Sequence, residues 1–145
     1  MVLDMETMRA QHAAAEEMAA SLMAIVDSYR GQCDAVPIAQ MVGKLNALLR
    51  AHLAYEDSVL YPTLMRTGDP KVAGLAHWFH DEMGMLAPRF EEFARRWSGP
   101  TVIDMMFDRF CDEATQILTA LGARIQREND QLYPLADRIS PPRAA

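Results

Sequence analysis

Apolar residues recur at steps of three and four along four long stretches of the chain, and clusters of helix-breaking residues separate the stretches. The first stretch runs from about Leu3 to Tyr29 and carries Met5, Met8, His12, Ala15, Ala19, Leu22 and Val26. Arg30-Gly31-Gln32 breaks it. The second starts near Asp34, with Pro37 in its first turn, where a missing N–H costs nothing. Its stripe is Ile38, Met41, Val42, Leu45, Leu48, Leu49, His52, Glu56, Val59 and Leu60. Thr67-Gly68-Asp69-Pro70 reads as a stop followed by a start: Gly68 suits a left-handed cap, Asp69 an N-cap and Pro70 the first helical position. The third stripe is Val72, Leu75, Phe79, Met83, Leu86, Phe90 and Phe93, running on to Trp97, and Ser98-Gly99-Pro100 ends it. Thr101 with Asp104 resembles a capping box. The fourth stripe is Ile103, Met106, Phe107, Phe110, Ala114, Ile117, Leu118, Leu121, Ile125, Glu128 and Leu132. Pro62 and Pro134 are expected to bend the second and fourth helices, and Ser140 to Ala145 to fray.

Four amphipathic helices joined by short loops can bury their stripes only against one another. The expected fold is therefore all-α, an up-down-up-down four-helix bundle over residues 1–139 with a flexible tail at 140–145. The chain has 145 residues, enough for one domain with a real core. Eleven methionines and few β-branched residues favour helix over strand. The net charge of −6 argues against nucleic acid as a partner. No apolar run is long enough for a membrane span, and MVLDMETMRAQH does not read as a secretory signal. Cys33 and Cys111 form no CxxC pattern and read as free thiols of a reducing compartment, so a cytoplasmic protein is expected.

The informative residues interrupt the apolar stripes with polar groups. His52 and Glu56 are four apart, about 40° around a helix, so they point the same way, between Leu49 and Val59 on the face that should be buried. A carboxylate there is costly unless it is paired or holds a metal, and imidazole with carboxylate suits iron, zinc or manganese. The arrangement recurs, altered, in the fourth helix: residues 52–62 read HLAYEDSVLYP and residues 124–134 read RIQRENDQLYP. Glu56 matches Glu128, Leu-Tyr-Pro follows both at the same spacing, and Arg124 stands where the second copy would carry a histidine. His12 lies roughly 17 residues before the end of helix 1 and His52 roughly 16 into helix 2, so the two should meet at one height in antiparallel neighbours. The same count brings positions 80 to 84 of helix 3 to that height, with His77, His80 and Glu82 as candidates. Measured from Phe79, His80 lies about 100° away, His77 about 160° and Glu82 about 60°. His77 should therefore face solvent; His80 is the favoured candidate, with Glu82 close behind.

These motifs resemble the hemerythrin (HHE cation-binding) family from about His12 to Pro134. In that family helix 1 gives a histidine, helix 2 gives HxxxE followed by LYP, helix 3 gives one or more histidines, and helix 4 gives a second HxxxE followed by LYP or LFP. The ligands the resemblance implies are His12, His52, Glu56, a helix 3 residue (His80 or Glu82) and Glu128. It also implies non-haem iron, typically two ions bridged by the glutamates, and roles in carrying or sensing O2, redox sensing, iron handling, or responses to nitric oxide and peroxide. Tyr61 and Tyr133 read as packing groups whose hydroxyls reach the site's periphery.

Arg124 departs from the family pattern, because a guanidinium stays charged and cannot ligate a metal. Three outcomes are open: a mononuclear site with Arg124 neutralising a freed carboxylate such as Glu128; an asymmetric dinuclear site; or no metal, with arginine supplying the positive charge. The first function expected is a metal-dependent sensor or carrier with an open position for O2 or nitric oxide. Its alternative is a metal-free helical module for regulation or protein interaction. A di-iron enzyme is the least favoured, since no nucleophile constellation is present. Glu16, Glu91-Glu92 and Arg95-Arg96 read as solvated helix faces. Trp78, on the flank of its helix, suggests a homodimer face.

Overall fold

The computed structural model describes residues 3–29 and 35–140. The break expected at Arg30-Gly31-Gln32, Cys33, the helix start near Asp34 and tail residues 141–145 lie outside them. Four rods form. The first is α1 (Met5–Ser28). The second joins α2 (Val36–Tyr55), a π-helical turn at Glu56–Leu60 and α3 (Tyr61–Met65). The third is α4 (Pro70–Met83) followed by α5 (Leu86–Arg96). A short α6 (Pro100–Met105) leads into the fourth: α7 (Phe107–Arg127), a second π-helical turn at Glu128–Leu132 and α8 (Tyr133–Ile139). No strand occurs among the described residues. Each rod packs on the next, and α1 closes the bundle against α7 and α8.

Local chemistry explains the boundaries. Asp4 caps α1 by accepting from the Thr7 N–H, and Asp69 caps α4 by accepting from the Lys71 N–H, with Pro70 at the first helical position. The two π-helical turns sit just ahead of Pro62 and Pro134. A proline has no N–H, and its ring collides with the carbonyl four residues back. The chain widens there: the Tyr61 N–H bonds the Glu56 carbonyl and the Tyr133 N–H bonds the Glu128 carbonyl, each five residues back.

Besides the break between α4 and α5, four details differ from the sequence-based expectation. Gly68 is not in the left-handed region; α3 ends at Arg66 with φ −91° and ψ 3°. Thr101 caps nothing, because Gly99 occupies the N-cap of α6 and the Asp104 carboxylate accepts from the Tyr29 hydroxyl. Met106 is exposed at the kink between α6 and α7 rather than in the core. Ser140 is buried, and its hydroxyl accepts from the Leu3 N–H at 2.8 Å, so the chain is tied down one residue further than expected.

The core is in two parts. One packs Leu22, Ile38, Leu45, Phe90, Trp97 and Phe110. The other packs Met8, Leu60, Leu64, Phe79 and Leu132. Between them in every contributing rod falls a polar layer: His12 lies between Met8 and Ala15, Glu56 between Leu53 and Leu60, Glu128 between Ile125 and Leu132. His12, early in α1, meets His52, late in α2, which fixes those rods as antiparallel.

Candidate metal centre

His12, His52, Glu56, Glu128 and Arg124 are each at most 2% exposed. Burying two carboxylates costs several kcal/mol per ion unless cations and hydrogen bonds compensate. One ligand atom from each of the two histidines and two glutamates lies within 4.8 Å of the others.

Both imidazoles are fixed by amides. The Oδ1 of Asn129 lies 2.7 Å from His12 Nδ1, and the Oε1 of Gln11 lies 2.8 Å from His52 Nδ1. An amide oxygen can only accept, so each Nδ1 carries its proton and donates it. Each Nε2 then faces inward, where a metal ligand would.

The two carboxylates each have two sides. On one side Glu128 Oε1 is 3.1 Å from His12 Nε2, and Glu56 Oε2 is 3.3 Å from His52 Nε2 and 3.8 Å from His12 Nε2. On the other side is Arg124: Nη2 donates to Glu56 Oε1 at 2.9 Å and Nε to Glu128 Oε2 at 3.1 Å. The same guanidinium donates to the Met83 carbonyl at 3.0 Å and to Asp57 at 3.3 Å. The tyrosines of the repeated Leu-Tyr-Pro cross over: Tyr61 donates to Glu128 Oε2 and Tyr133 to Glu56 Oε2, both at 2.5 Å. Each copy of the motif thus supports the glutamate of the other.

The electrostatics follow from burial. Burial, then the charge of Glu56, raises the carboxyl of Glu128; hydrogen bonding from His12 and the charge of Arg124 oppose this without cancelling it. Burial disfavours the imidazolium of His12, but hydrogen bonds to Glu128 and Asn129 together with the charges of Glu128 and Glu56 outweigh it, and the net shift is upward. His52 is pushed down to about 4, first by burial and then by the positive charges of His12 and Arg124. The upward shifts of His12 and Glu128 both favour a proton on this side of the layer, and a cation at the centre of the donor set would displace it.

The donor set fits such a cation. Ligands roughly 2.1 Å from one ion sit about 3.0 Å apart at right angles and about 3.4 Å apart in a tetrahedron. The 3.1 and 3.3 Å separations match neighbouring ligands of that kind.

Helix 3 contributes differently from expectation. His80 and Glu82 are exposed and not in the donor set; His80 faces Asp81 at 3.5 Å, and His77 is also exposed. The buried face of α4 is Val72, Ala76 and Phe79, which turns both candidates outward. Positions 80 to 84 do reach the height of the site, through a backbone group: the Met83 carbonyl that accepts from Arg124. Sequence reasoning also missed Gln11, Asn129 and Asp57. Their one signal is adjacency, since each is next to His12, Glu128 or Glu56. Glu16 and the Glu91-Glu92 and Arg95-Arg96 pairs are exposed, as expected of solvated faces.

The family model of the hemerythrin HHE cation binding domain matches residues 3–136. The chain belongs to that family. No curated protein and no solved structure gives a significant match. Within this hemerythrin-like bundle, His12, the His52–Glu56 pair and Glu128 converge, while Arg124 stands four residues before Glu128 in the place of the fourth helix's histidine.

Proposed function

We propose that this hemerythrin-like protein holds a single non-haem iron ion between His12, His52, Glu56 and Glu128, and that Arg124 occupies the place of a second cation. One observation carries the reading: each glutamate turns one oxygen to the histidines and the other to the guanidinium. Charge supports it as well, since a divalent ion with Arg124 balances Glu56, Glu128 and the nearby Asp57.

Iron so held would supply a redox-active centre able to bind a small molecule such as O2 or nitric oxide, which fits sensing or iron handling. The protein's own part is to orient the ligands through Gln11 and Asn129, to neutralise the second oxygen of each carboxylate, and to keep the layer dry between two apolar clusters. A cavity of about 200 Å³ lies beside Asp57, which touches Arg124, and has Leu49, Leu53 and Phe90 as well as Arg50 and Glu91 in its lining. No helix among the described residues is long and apolar enough to cross a membrane. With Cys111 a free thiol, we place the protein in the reducing cytoplasm.

A second reading has its own support. Arg124, the tyrosines and the histidines give every carboxylate oxygen of Glu56 and Glu128 a partner, so a metal-free regulatory module is self-consistent. Anaerobic loading with iron(II), desalting and elemental analysis separate the two. One iron per chain is expected. Two per chain would refute the assignment of Arg124, and none would leave the metal-free module.

A further inference from the structure

The two tyrosines of the repeated motif look equivalent in sequence, but the structure gives them different surroundings. Tyr61 lies on the guanidinium side, with Arg124 5.5 Å from its ring centroid and its hydroxyl on Glu128 Oε2. Tyr133 lies on the histidine side. Its Oη is 2.5 Å from Glu56 Oε2, 2.9 Å from His12 Nε2 and 3.4 Å from His52 Nε2.

A hydroxyl has one proton, and this one goes to Glu56 Oε2. It cannot also satisfy two imidazole nitrogens whose partner atoms, the Nδ1 groups, already hold the protons that bond Asn129 and Gln11. Once a cation displaces the proton that His12 and Glu128 favour between them, lone pairs from Tyr133, His12 and His52 converge with a carboxylate oxygen on one point. The 2.9 and 3.4 Å separations of Oη from the two imidazole nitrogens are those of adjacent ligands on one ion, and the 2.5 Å hydrogen bond to Glu56 would open as the proton leaves. The ring is held in place: it stacks on His12 at 4.6 Å with 7° between planes, and the Arg9 guanidinium, itself paired with Asp137, lies 5.6 Å from its centroid.

From this geometry we infer that Tyr133 is a direct metal ligand, binding through Oη as a phenolate in the ferric state, whereas Tyr61 is not. The inference rests on the metal-binding reading above. As the Oη–metal bond forms, the O–H bond breaks and the proton leaves to bulk water. The phenolate then adds the negative charge that balances the third positive charge of ferric iron. A site with two imidazoles, two carboxylates and a phenolate favours the ferric state over the ferrous, which suits sensing or retention of iron better than reversible O2 carriage.

The test loads the full chain anaerobically with iron(II), oxidises it by one electron with ferricyanide, and records iron content, visible absorption and resonance Raman spectra. The wild type and Tyr61→Phe are expected to show a phenolate-to-iron charge-transfer band with phenolate ring modes. Tyr133→Phe is expected to lose both signatures in the iron it binds. Iron bound without the band in the wild type overturns the tyrosine ligand alone, as does a band that disappears in Tyr61→Phe. No iron bound overturns both this inference and the metal-binding reading. If Tyr133→Phe does not fold, the wild type and Tyr61→Phe still decide the question, because Tyr61 and Tyr133 are the tyrosines that touch the donor set among the described residues.

Discussion

At the scale of single residues, Arg124 carries the proposal of a single cation. Its guanidinium meets one oxygen of each glutamate, so a second metal has no free donor pair while it is present. Arg124→His removes the fixed charge and returns an imidazole beside Glu56 Oε1, Glu128 Oε2 and Asp57. Iron content is expected to rise from one to two per chain by elemental analysis; a ratio that stays at one would show that arginine is not what limits it. Arg124→Met leaves two buried carboxylates short of a counter-ion. In the metal-free protein it should cost about 3–5 kcal/mol in urea unfolding, the usual consequence of breaking a buried ion pair from one side. Asn129 acts one step out. Asn129→Ala frees the His12 ring to turn, and metal affinity measured by chelator competition should fall about 10- to 100-fold with the fold intact. The sequence made His12, His52, Glu56 and Glu128 visible because a buried polar group breaks an apolar stripe. Asn129 and Gln11 stayed hidden because they flank the stripe, where polar residues are ordinary.

Among the helices, irregular turns bring the right groups to the site. The π-helical turns begin at the two glutamates, so the prolines that follow six residues on set how the chain widens at the ligands themselves. The third rod is interrupted where the sequence suggested one continuous helix. Gly84 permits the interruption: a Cβ there would lie 2.5 Å from the His80 carbonyl oxygen. The break places the Met83 carbonyl against Arg124. Gly84→Ala forces backbone to shift and should destabilise the fold by about 1–3 kcal/mol, read from denaturant midpoints at unchanged slope. A variant as stable as the parent would mean that the turn has room to relax. Helical periodicity cannot reveal such a break, because Phe79, Leu86 and Phe90 remain buried on both sides of it.

In the whole molecule, the polar layer lies between two apolar clusters that belong to different ends of the bundle. A cation bound by residues from the first, second and fourth rods would form its site only when these have packed, and by mass action it would stabilise the fold. With free metal at 100 times its dissociation constant, the gain is about 2.7 kcal/mol. For a chain of this size that corresponds to a rise in Tm of about 5–10 °C. Calorimetry with and without iron checks this, and His12→Ala should abolish the difference; an equal Tm for loaded and metal-free wild type would contradict it. The bundle itself was legible from the four stripes, since each amphipathic rod needs partners for one face and the short connections bring sequential rods together. The repeated Glu-x-x-x-Leu-Tyr-Pro likewise announced that two glutamates sit at equivalent heights. Tertiary structure alone decided which neighbours each group meets. His80 and Glu82 turn outward, a backbone carbonyl from helix 3 meets Arg124, and Tyr61 sits beside Arg124 while Tyr133 sits beside the two histidines. The physical reason is range: periodicity reports which side of one helix is buried, whereas a coordination site depends on distances of about 3 Å between atoms on separate rods, and those exist only once the rods have packed.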